Sequence, residues 1–100
     1  MFRGTTPTIS LTVTGLSALQ IHSAYLTIKQ GEVTVEKALE EMTLEGDGLK
    51  ATLTQAETLS FRAGSGCMIQ LRVLTENGTA LATEALSVPV KAILKDGEIT

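Results

Sequence analysis

His22 and Cys67 are the side chains best suited to nucleophilic or metal chemistry, and each is the single residue of its type. A zinc site takes at least three protein ligands, and neither residue has a second ligand at a suitable spacing. We therefore interpret His22 as a surface residue of a loop or strand. Cys67 lies on the apolar face of a hydrophobic segment, which favours a small buried side chain over a reactive thiolate, because a thiolate needs exposure and nearby positive charge.

Three further patterns resemble known sites but favour simpler interpretations. The acidic stretch consists of Glu36, Glu40, Glu41 and Glu45. It lacks the alternating Asp and Asn of a calcium loop, so we interpret it as a solvated face. Gly64-Ser65-Gly66 lacks the lysine of a phosphate-binding loop and predicts a turn. Asn77-Gly78-Thr79 has the form of a glycosylation acceptor, but Asn-Gly also favours a tight hairpin turn in which both central residues have positive φ.

Catalysis needs side chains that converge on a reacting atom, and these patterns provide no such set. We therefore expect no catalytic residue, no metal ligand and no cofactor-binding residue. The chain is predicted to be a non-enzymatic structural or binding module.

Length and composition predict one soluble globular domain over residues 1–100. Leu, Ile, Val and Phe make up 28 of the 100 residues, above the roughly 20% below which chains tend to stay disordered. The net charge is −3 and the Lys and Arg residues are scattered, which disfavours nucleic acid and anionic membranes as partners. The single cysteine and an N-terminus without an apolar leader predict folding in a reducing cytoplasm.

Alternation of apolar and polar residues predicts the first strands. Thr8–Thr14 alternates as a half-buried strand. Leu19–Lys29 alternates with a change of parity, which requires a loop or bulge near His22. Gln30-Gly31 then predicts a turn into a third alternating segment, Glu32–Glu36, so these two segments are expected to form a hairpin.

The middle of the chain mixes helical and strand spacing. Residues 36–45 fit both, and we expect a helical turn or loop followed by a short strand. Gly46-Asp47-Gly48 predicts a turn into the alternating segment Leu49–Thr54. Glu57 follows Thr54 at the spacing of a capping box, which predicts a short helical crossover. The residues expected to face inward on it are Ala56, Leu59 and Ser60.

The last part of the chain predicts two more strands. Cys67–Leu74 is the most apolar segment, with Leu71 on its buried face, and Thr79–Val90 is the return strand. Pro89 indicates an edge or the end of that strand, and the residues from Lys95 onward are expected to form a loose tail. The pattern predicts an all-β fold, an antiparallel immunoglobulin-like β-sandwich of about seven strands with one short helical crossover. The Cys–Trp–Cys core of true immunoglobulin domains is absent.

Several segments together resemble short uncharacterised proteins of phages and prophages of Gram-positive bacteria, encoded among virion structural genes. The order of elements is also similar to the N-terminal β-sandwich domain of baseplate upper proteins. The segments that carry the resemblance are Phe2-Arg3-Gly4-Thr5-Thr6-Pro7-Thr8, Leu53-Thr54-Gln55-Ala56-Glu57-Thr58-Leu59, Ile69-Gln70-Leu71-Arg72-Val73, Asn77-Gly78-Thr79-Ala80-Leu81-Ala82 and Ile93-Leu94-Lys95-Asp96-Gly97.

The resemblance implies a virion structural protein of the tail, baseplate or head accessory structures, present in the cytoplasm during synthesis and then in the virion. Its implied partners are other virion structural proteins or further copies of the same chain. No catalytic residues come with this family. The receptor-binding region that follows the sandwich in longer baseplate proteins has no counterpart in this sequence, so direct host recognition is not implied.

Assembly of this kind can use strand addition at a sheet edge, for which the candidate arms are Thr5–Thr14 and Val88–Thr100. The alternative is an ordinary first strand and a frayed tail. An alternative function is a small immunoglobulin-like adhesion or carbohydrate-binding module, for which Tyr25 is the one candidate aromatic on a strand face. With three aromatic residues in the chain, a stacking platform has little material.

Overall fold

The computed structural model describes residues 1–100, which form two antiparallel β-sheets. The eight strands are β1 (Thr8–Thr12), β2 (Ile21–Gln30), β3 (Val33–Ala38), β4 (Thr43–Glu45), β5 (Gly48–Thr52), β6 (Gly66–Thr75), β7 (Ala80–Ala82) and β8 (Leu86–Pro89). One α-helix, α1 (Gln55–Leu59), and two short 3₁₀ helices, Leu16–Ala18 and Leu39–Glu41, complete the fold. The expected all-β class is confirmed.

The smaller sheet has three strands in the order β1-β5-β4, and the larger sheet has five. In the larger sheet the order is β3-β2-β6-β7, and β8 also pairs with β6. β7 and β8 lie along the same edge of β6, since Arg72 pairs with Ala82 and Cys67 pairs with Val88. Because α1 connects β5 of one sheet to β6 of the other, the predicted helical crossover is confirmed.

Apolar rows of the two sheets meet in one core. Neighbouring strands align Leu26 with Leu71 and Ile28 with Ile69, and all four side chains are at most 2% exposed. The predicted parity of these strands is therefore confirmed. Leu49 and its neighbours from the smaller sheet join the same cluster of 14 buried residues, so each sheet covers the apolar face of the other.

The change of parity in the second strand is a bulge, as predicted. Ile21 pairs with Thr75 and Ser23 pairs with Leu74, which leaves His22 as the extra residue on β2. An inserted residue of this kind bends its strand and increases the local twist.

The Asn77-Gly78 turn differs from its prediction. Only Gly78 has a positive φ, 87°, and the loop contains three residues, since the Thr75 N–H donates to the Thr79 carbonyl at 2.9 Å. Thr79 also donates its N–H to the Asn77 Oδ1 at 3.3 Å. A three-residue loop needs a single left-handed residue at its last position, so the expected positive φ at Asn77 is wrong.

The predicted single return strand is divided at Thr83. At this point the Leu71 N–H donates to the Thr83 hydroxyl at 3.1 Å, and the Gln70 amide donates to the Thr83 carbonyl at 2.9 Å. The Thr83 N–H also donates to the Leu71 carbonyl at 2.9 Å, so Thr83 stays attached to β6 in the interruption between β7 and β8. The chain consequently has eight strands rather than about seven.

Residues 36–45 combine both predicted structures, because β3 ends at Ala38 and the 3₁₀ helix Leu39–Glu41 precedes β4. The expected helical turn followed by a short strand is confirmed.

The predicted inward face of α1 is wrong. Thr58 is the buried residue of the helix, at 0% exposure, while Ala56 and Ser60 are exposed and Leu59 is half-buried. The Thr58 hydroxyl donates to the Thr5 carbonyl at 2.9 Å and accepts from the Thr5 N–H at 3.1 Å. The N-terminal segment therefore covers the polar side of the helix, which a pattern of apolar residues does not reveal.

Candidate functional site

An ion pair between the buried Lys37 and the half-buried Glu57 fixes α1 against the larger sheet. The Lys37 Nζ lies 2.9 Å from the Glu57 Oε1, and the same oxygen accepts the Thr54 N–H at 2.8 Å. Glu57 in turn donates its N–H to the Thr54 hydroxyl at 3.1 Å, which confirms the predicted capping box. Partial burial acts to raise the pKa of Glu57, but Lys37 and Thr54 outweigh it and lower that pKa. This charged pair has a structural role, since it joins β3 to the start of α1.

Arg3 holds the other end of the helix. Its Nε donates to the Phe61 carbonyl at 2.7 Å, and its Nη2 donates to the Leu59 carbonyl at 3.0 Å. These carbonyls lie where a helix leaves acceptors without an internal partner. Phe2 forms an isolated parallel bridge with Lys91, so residues 1–3 connect the helix to the end of β8.

Gln30 is a structural residue that sequence reasoning missed. It is 8% exposed, and its amide accepts the Arg62 N–H at 2.6 Å and donates to the Arg62 carbonyl at 2.8 Å. It also donates to the Ser65 carbonyl at 3.2 Å, which holds the predicted turn at Gly64-Ser65-Gly66. A signal was present, since Gln30 continues the period-two row of buried residues that includes Ile28.

Asp47 performs a similar role for the loop after β1. Its carboxylate accepts the Ser17 N–H at 2.8 Å and the Gly15 N–H at 3.1 Å. Hydrogen bonds from Ser17, and then from Gly15, lower the pKa of Asp47. The β4–β5 turn thereby fixes the 3₁₀ helix at Leu16–Ala18.

His22 and Cys67 do not form a common site. His22 is exposed on the bulge, and its Nδ1 lies 3.7 Å from the Glu76 Oε2. Cys67 is 0% exposed, and burial raises the pKa of its thiol. Because His22 lies opposite Leu74 and Thr75, seven residues of strand, or about 23 Å, separate it from Cys67. Both interpretations, a surface histidine and a buried thiol, are confirmed.

The acidic stretch is distributed over three elements: Glu36 on β3, Glu40 and Glu41 in the 3₁₀ helix, and Glu45 on β4. The Glu41 Oε1 accepts the Ala38 N–H at 3.0 Å. No group of three or more His, Cys, Asp or Glu side chains converges as metal ligands would.

The two candidate arms have different positions. Thr5–Thr14 contains β1, which pairs with β5 on one side, so it is a first strand of the sheet. Val88–Thr100 begins in β8 and then returns to α1. There the Ile99 N–H donates to the Gln55 Oε1 at 2.8 Å, and Asp96 lies 3.6 Å from Arg3. These contacts attach the tail at two points, while residues 94–100 remain exposed and without regular secondary structure.

The free side of β1 presents unpaired backbone groups. The Leu53 N–H donates to the Pro7 carbonyl and the Val13 N–H donates to the Asp47 carbonyl, both at 2.9 Å. Backbone groups alternate direction along a strand, so Ile9 and Leu11 also point toward β5. The N–H and C=O groups of Thr8, Ser10 and Thr12 point away from it. We call these three residues the β1 edge.

The other sheet edges carry features that hinder pairing. β3 has the charge of Glu36, and the N–H of its last residue is occupied by Glu41. β4 has three residues and includes Glu45. The β7–β8 edge is divided at Thr83 and ends in Pro89. Charges, proline and short or interrupted strands are the usual means of preventing edge pairing, and β1, with the sequence TISLT, has none of them.

An open depression of about 310 Å³ lies on the outer face of the larger sheet. Tyr25 and Arg72 are direct cross-strand neighbours there, with Glu36 and Leu74 nearby in the lining. Tyr25 is 46% exposed. The depression therefore places the aromatic ring of Tyr25 beside two groups of opposite charge, Arg72 and Glu36.

None of the helices is long and apolar enough to cross a lipid bilayer. Comparison of the chain with models of protein families, with curated proteins and with solved structures gives no significant match to any of them.

Proposed function

We propose that this protein is a non-enzymatic structural component of a phage or prophage virion, in the tail, baseplate or head accessory structures, and that it works by protein–protein assembly. The observation that carries the proposal is the β1 edge, a five-residue uncharged strand with one side unpaired. Virion parts assemble through many copies of one contact. Strand addition supplies such a contact, because main-chain hydrogen bonds give affinity and alternate side chains give specificity.

We further propose an immunoglobulin-like topology, in which β1 to β6 correspond to strands B, C, C′, D, E and F, and β7 with β8 to strand G. Immunoglobulin sandwiches pair strands in the orders A-B-E-D and C′-C-F-G. The observed orders β1-β5-β4 and β3-β2-β6-β7 support this assignment. The position of strand A, beside strand B, then coincides with the β1 edge.

The use of the polar side chains also supports a structural role. Arg3 binds the carbonyls at the end of α1, and Glu57 joins the start of α1 to Lys37. Asp47 binds the backbone of Gly15 and Ser17, and Gln30 binds the backbone of Arg62 and Ser65. These groups are occupied in holding the fold, which suits a protein that acts as a rigid part.

Particle association tests the proposed function. Virions induced from the bacterium that encodes the chain would be purified on a density gradient, and the chain would be quantified by mass spectrometry in each fraction. We expect a fixed, multiple copy number per particle that survives a high-salt wash. An abundant cytoplasmic protein of the same lysate serves as the control for carry-over. Absence of the chain from intact particles would refute the proposal.

The depression beside Tyr25 favours a second candidate, an adhesion or carbohydrate-binding module. Sugars present apolar ring faces that stack on aromatic side chains and hydroxyls that bind charged groups. Saturating sugar should then raise the melting temperature of the native chain by mass action. The effect should disappear in Tyr25→Ala and persist in Tyr25→Phe. If no sugar in a broad panel shifts the melting temperature, this candidate is rejected.

A further inference from the structure

We propose that the β1 edge pairs with the β1 edge of a second copy of the chain, antiparallel and about a two-fold axis midway between the two Ser10 residues. This inference rests on the proposed assembly function and names the contact that it uses. The pairing joins two three-stranded sheets into one continuous sheet across the dimer. It fills the one edge of the fold that has no charge, proline or interruption.

The two-fold register follows from which backbone groups are free. Ser10 faces the partner's Ser10, and Thr8 faces the partner's Thr12. Since Thr8, Ser10 and Thr12 all point their N–H and C=O groups away from β5, each facing pair exchanges two hydrogen bonds. Three pairs therefore give about six intermolecular bonds, a full ladder for a strand of this length.

Side chains on both faces of β1 suit this register. On the outer face, threonine and serine hydroxyls meet across the axis, and such cross-strand pairs are favourable. On the inner face, Ile9 and Leu11 are half-buried at the border of the core. In the dimer Ile9 approaches the partner's Leu11, so the pairing removes apolar surface that the isolated chain leaves in water.

Charge is also compatible with two copies at this edge. Ser10 pairs with Lys50 of β5, so the nearest like charges in the dimer are the two Lys50 side chains, three strand spacings or about 14 Å apart. Salt screens charges at that separation at physiological ionic strength. At β3 or β4 the same symmetry would bring Glu36 or Glu45 much closer to its own copy.

A strand of five residues buries less area than a standard interface, so the dimer is expected to be weak and concentration-dependent. Sedimentation velocity and light scattering over a concentration series measure its dissociation constant. Ser10→Lys places like charges directly opposite one another across the axis, which is destabilising. We expect at least a tenfold weaker dimer, and an equimolar mixture of Ser10→Lys with Ser10→Glu should restore it.

Thr43→Lys is the matched control. Thr43 and Ser10 both pair with Lys50, in the same row and on the same face, but at opposite edges of the sheet. Thr43→Lys therefore adds the same charge next to the same lysine without touching the β1 edge. We expect its dissociation constant to equal that of the native chain, and circular dichroism should show that all variants are folded.

A cross-link tests the register directly. Facing residues of a hydrogen-bonded antiparallel pair have Cα atoms about 5.5 Å apart, within the range of a disulfide. Ser10→Cys should form a covalent dimer on mild oxidation, whereas Thr43→Cys should not, and the buried Cys67 stays unreactive in both.

The outcomes separate this inference from the proposed function. A native dimer that Ser10→Lys does not weaken, or that Ser10→Cys does not cross-link, overturns pairing at the β1 edge but leaves assembly in place. A native chain that is monomeric at every concentration, together with a Ser10→Cys variant that does not cross-link, also overturns it, while particle association still decides the proposed function. If the dimer is lost in Ser10→Lys and regained in the mixture, pairing at the β1 edge is supported. If the chain is at the same time absent from virions, the virion role is refuted while the contact is retained.

Discussion

The Glu57 carboxylate accepts hydrogen bonds from two places at once: the Lys37 ammonium at 2.9 Å and the Thr54 N–H at 2.8 Å. Lys37 belongs to β3 of the larger sheet, and Thr54 is the N-cap of α1. One acidic side chain thus closes the capping box and attaches the crossover helix to the sheet. Glu57 thus attaches the start of the crossover helix to the larger sheet, while Arg3 holds the other end of the helix.

Glu57→Gln should destabilise the fold because Lys37 is 7% exposed and would lose its counter-charge. Removing one partner of a buried ion pair costs about 3–5 kcal/mol. The Glu57 side chain is 26% exposed, so water replaces part of the interaction and we expect about 1–3 kcal/mol. Urea unfolding would measure the loss. Glu40→Gln, at an exposed carboxylate of the neighbouring 3₁₀ helix, is the control and should change stability by less than about 0.5 kcal/mol.

Stability should fall in acid. The pKa of Glu57 is lowered from its ordinary value of 4.5 by Lys37 and Thr54 against the opposing effect of burial. A lowered folded pKa stabilises the fold above the unfolded pKa, and this contribution is lost as the pH falls through the folded pKa. Unfolding free energies measured from pH 7 to pH 2.5 should therefore decrease below about pH 4.5. Glu57→Gln should show a shallower decrease, and equal slopes for the two proteins would contradict this role.

The features of the fold that could be predicted from the sequence are those determined by local contacts. The buried parity of Leu26 and Leu71 follows from period-two alternation, and the bulge at His22 follows from a change in that alternation. The Thr54 and Glu57 capping box involves residues three apart. In each case the determining contacts are local or repeat along one strand, so the sequence pattern contains them.

The features that were not predicted depend on distant contacts. Thr58 is buried because Thr5, 53 residues away, bonds its hydroxyl. The return strand is divided because Thr83 bonds to Gln70 and Leu71 of another strand. The candidate interaction surface, the β1 edge, also depends on distant contacts. Alternation predicts a strand at Thr8–Thr14, but whether one of its edges is free depends on which strands share its sheet.

Leu71→Ala tests the centre of the core. Leu71 is 1% exposed and lies opposite Leu26 in the larger sheet, so truncation leaves a cavity and should cost about 2–5 kcal/mol. Leu74→Ala removes the same atoms from the same strand at a position 37% exposed, and should cost less than about 1 kcal/mol. Denaturant melts compare the two. Similar losses in both variants would mean that the burial pattern of β6 is wrong.

Gly78→Val tests the hairpin between β6 and β7. Gly78 has a φ of 87° and open space where a Cβ would lie, so a substitution acts through backbone strain and not through a clash. A β-branched residue in this conformation should cost about 1–3 kcal/mol. Gly78→Asn should cost less, because asparagine tolerates the left-handed region. Thermal unfolding measures both, and a melting curve unchanged by valine would reject the left-handed assignment.

Gln30→Leu tests the buried amide that holds the Arg62–Ser65 turn. The substitution keeps a similar volume but removes the acceptor of the Arg62 N–H and the donor to the Arg62 and Ser65 carbonyls. Leaving part-buried backbone groups without partners should cost about 1–3 kcal/mol. The substitution should lower the stability of the turn as well as that of the whole fold. Hydrogen exchange at the Arg62 amide should therefore accelerate more than exchange at the centre of β6. Lys29→Leu, at the adjacent exposed position, should leave that amide unchanged. Equal exchange at Arg62 in the native chain and Gln30→Leu would show that the turn is held by other contacts.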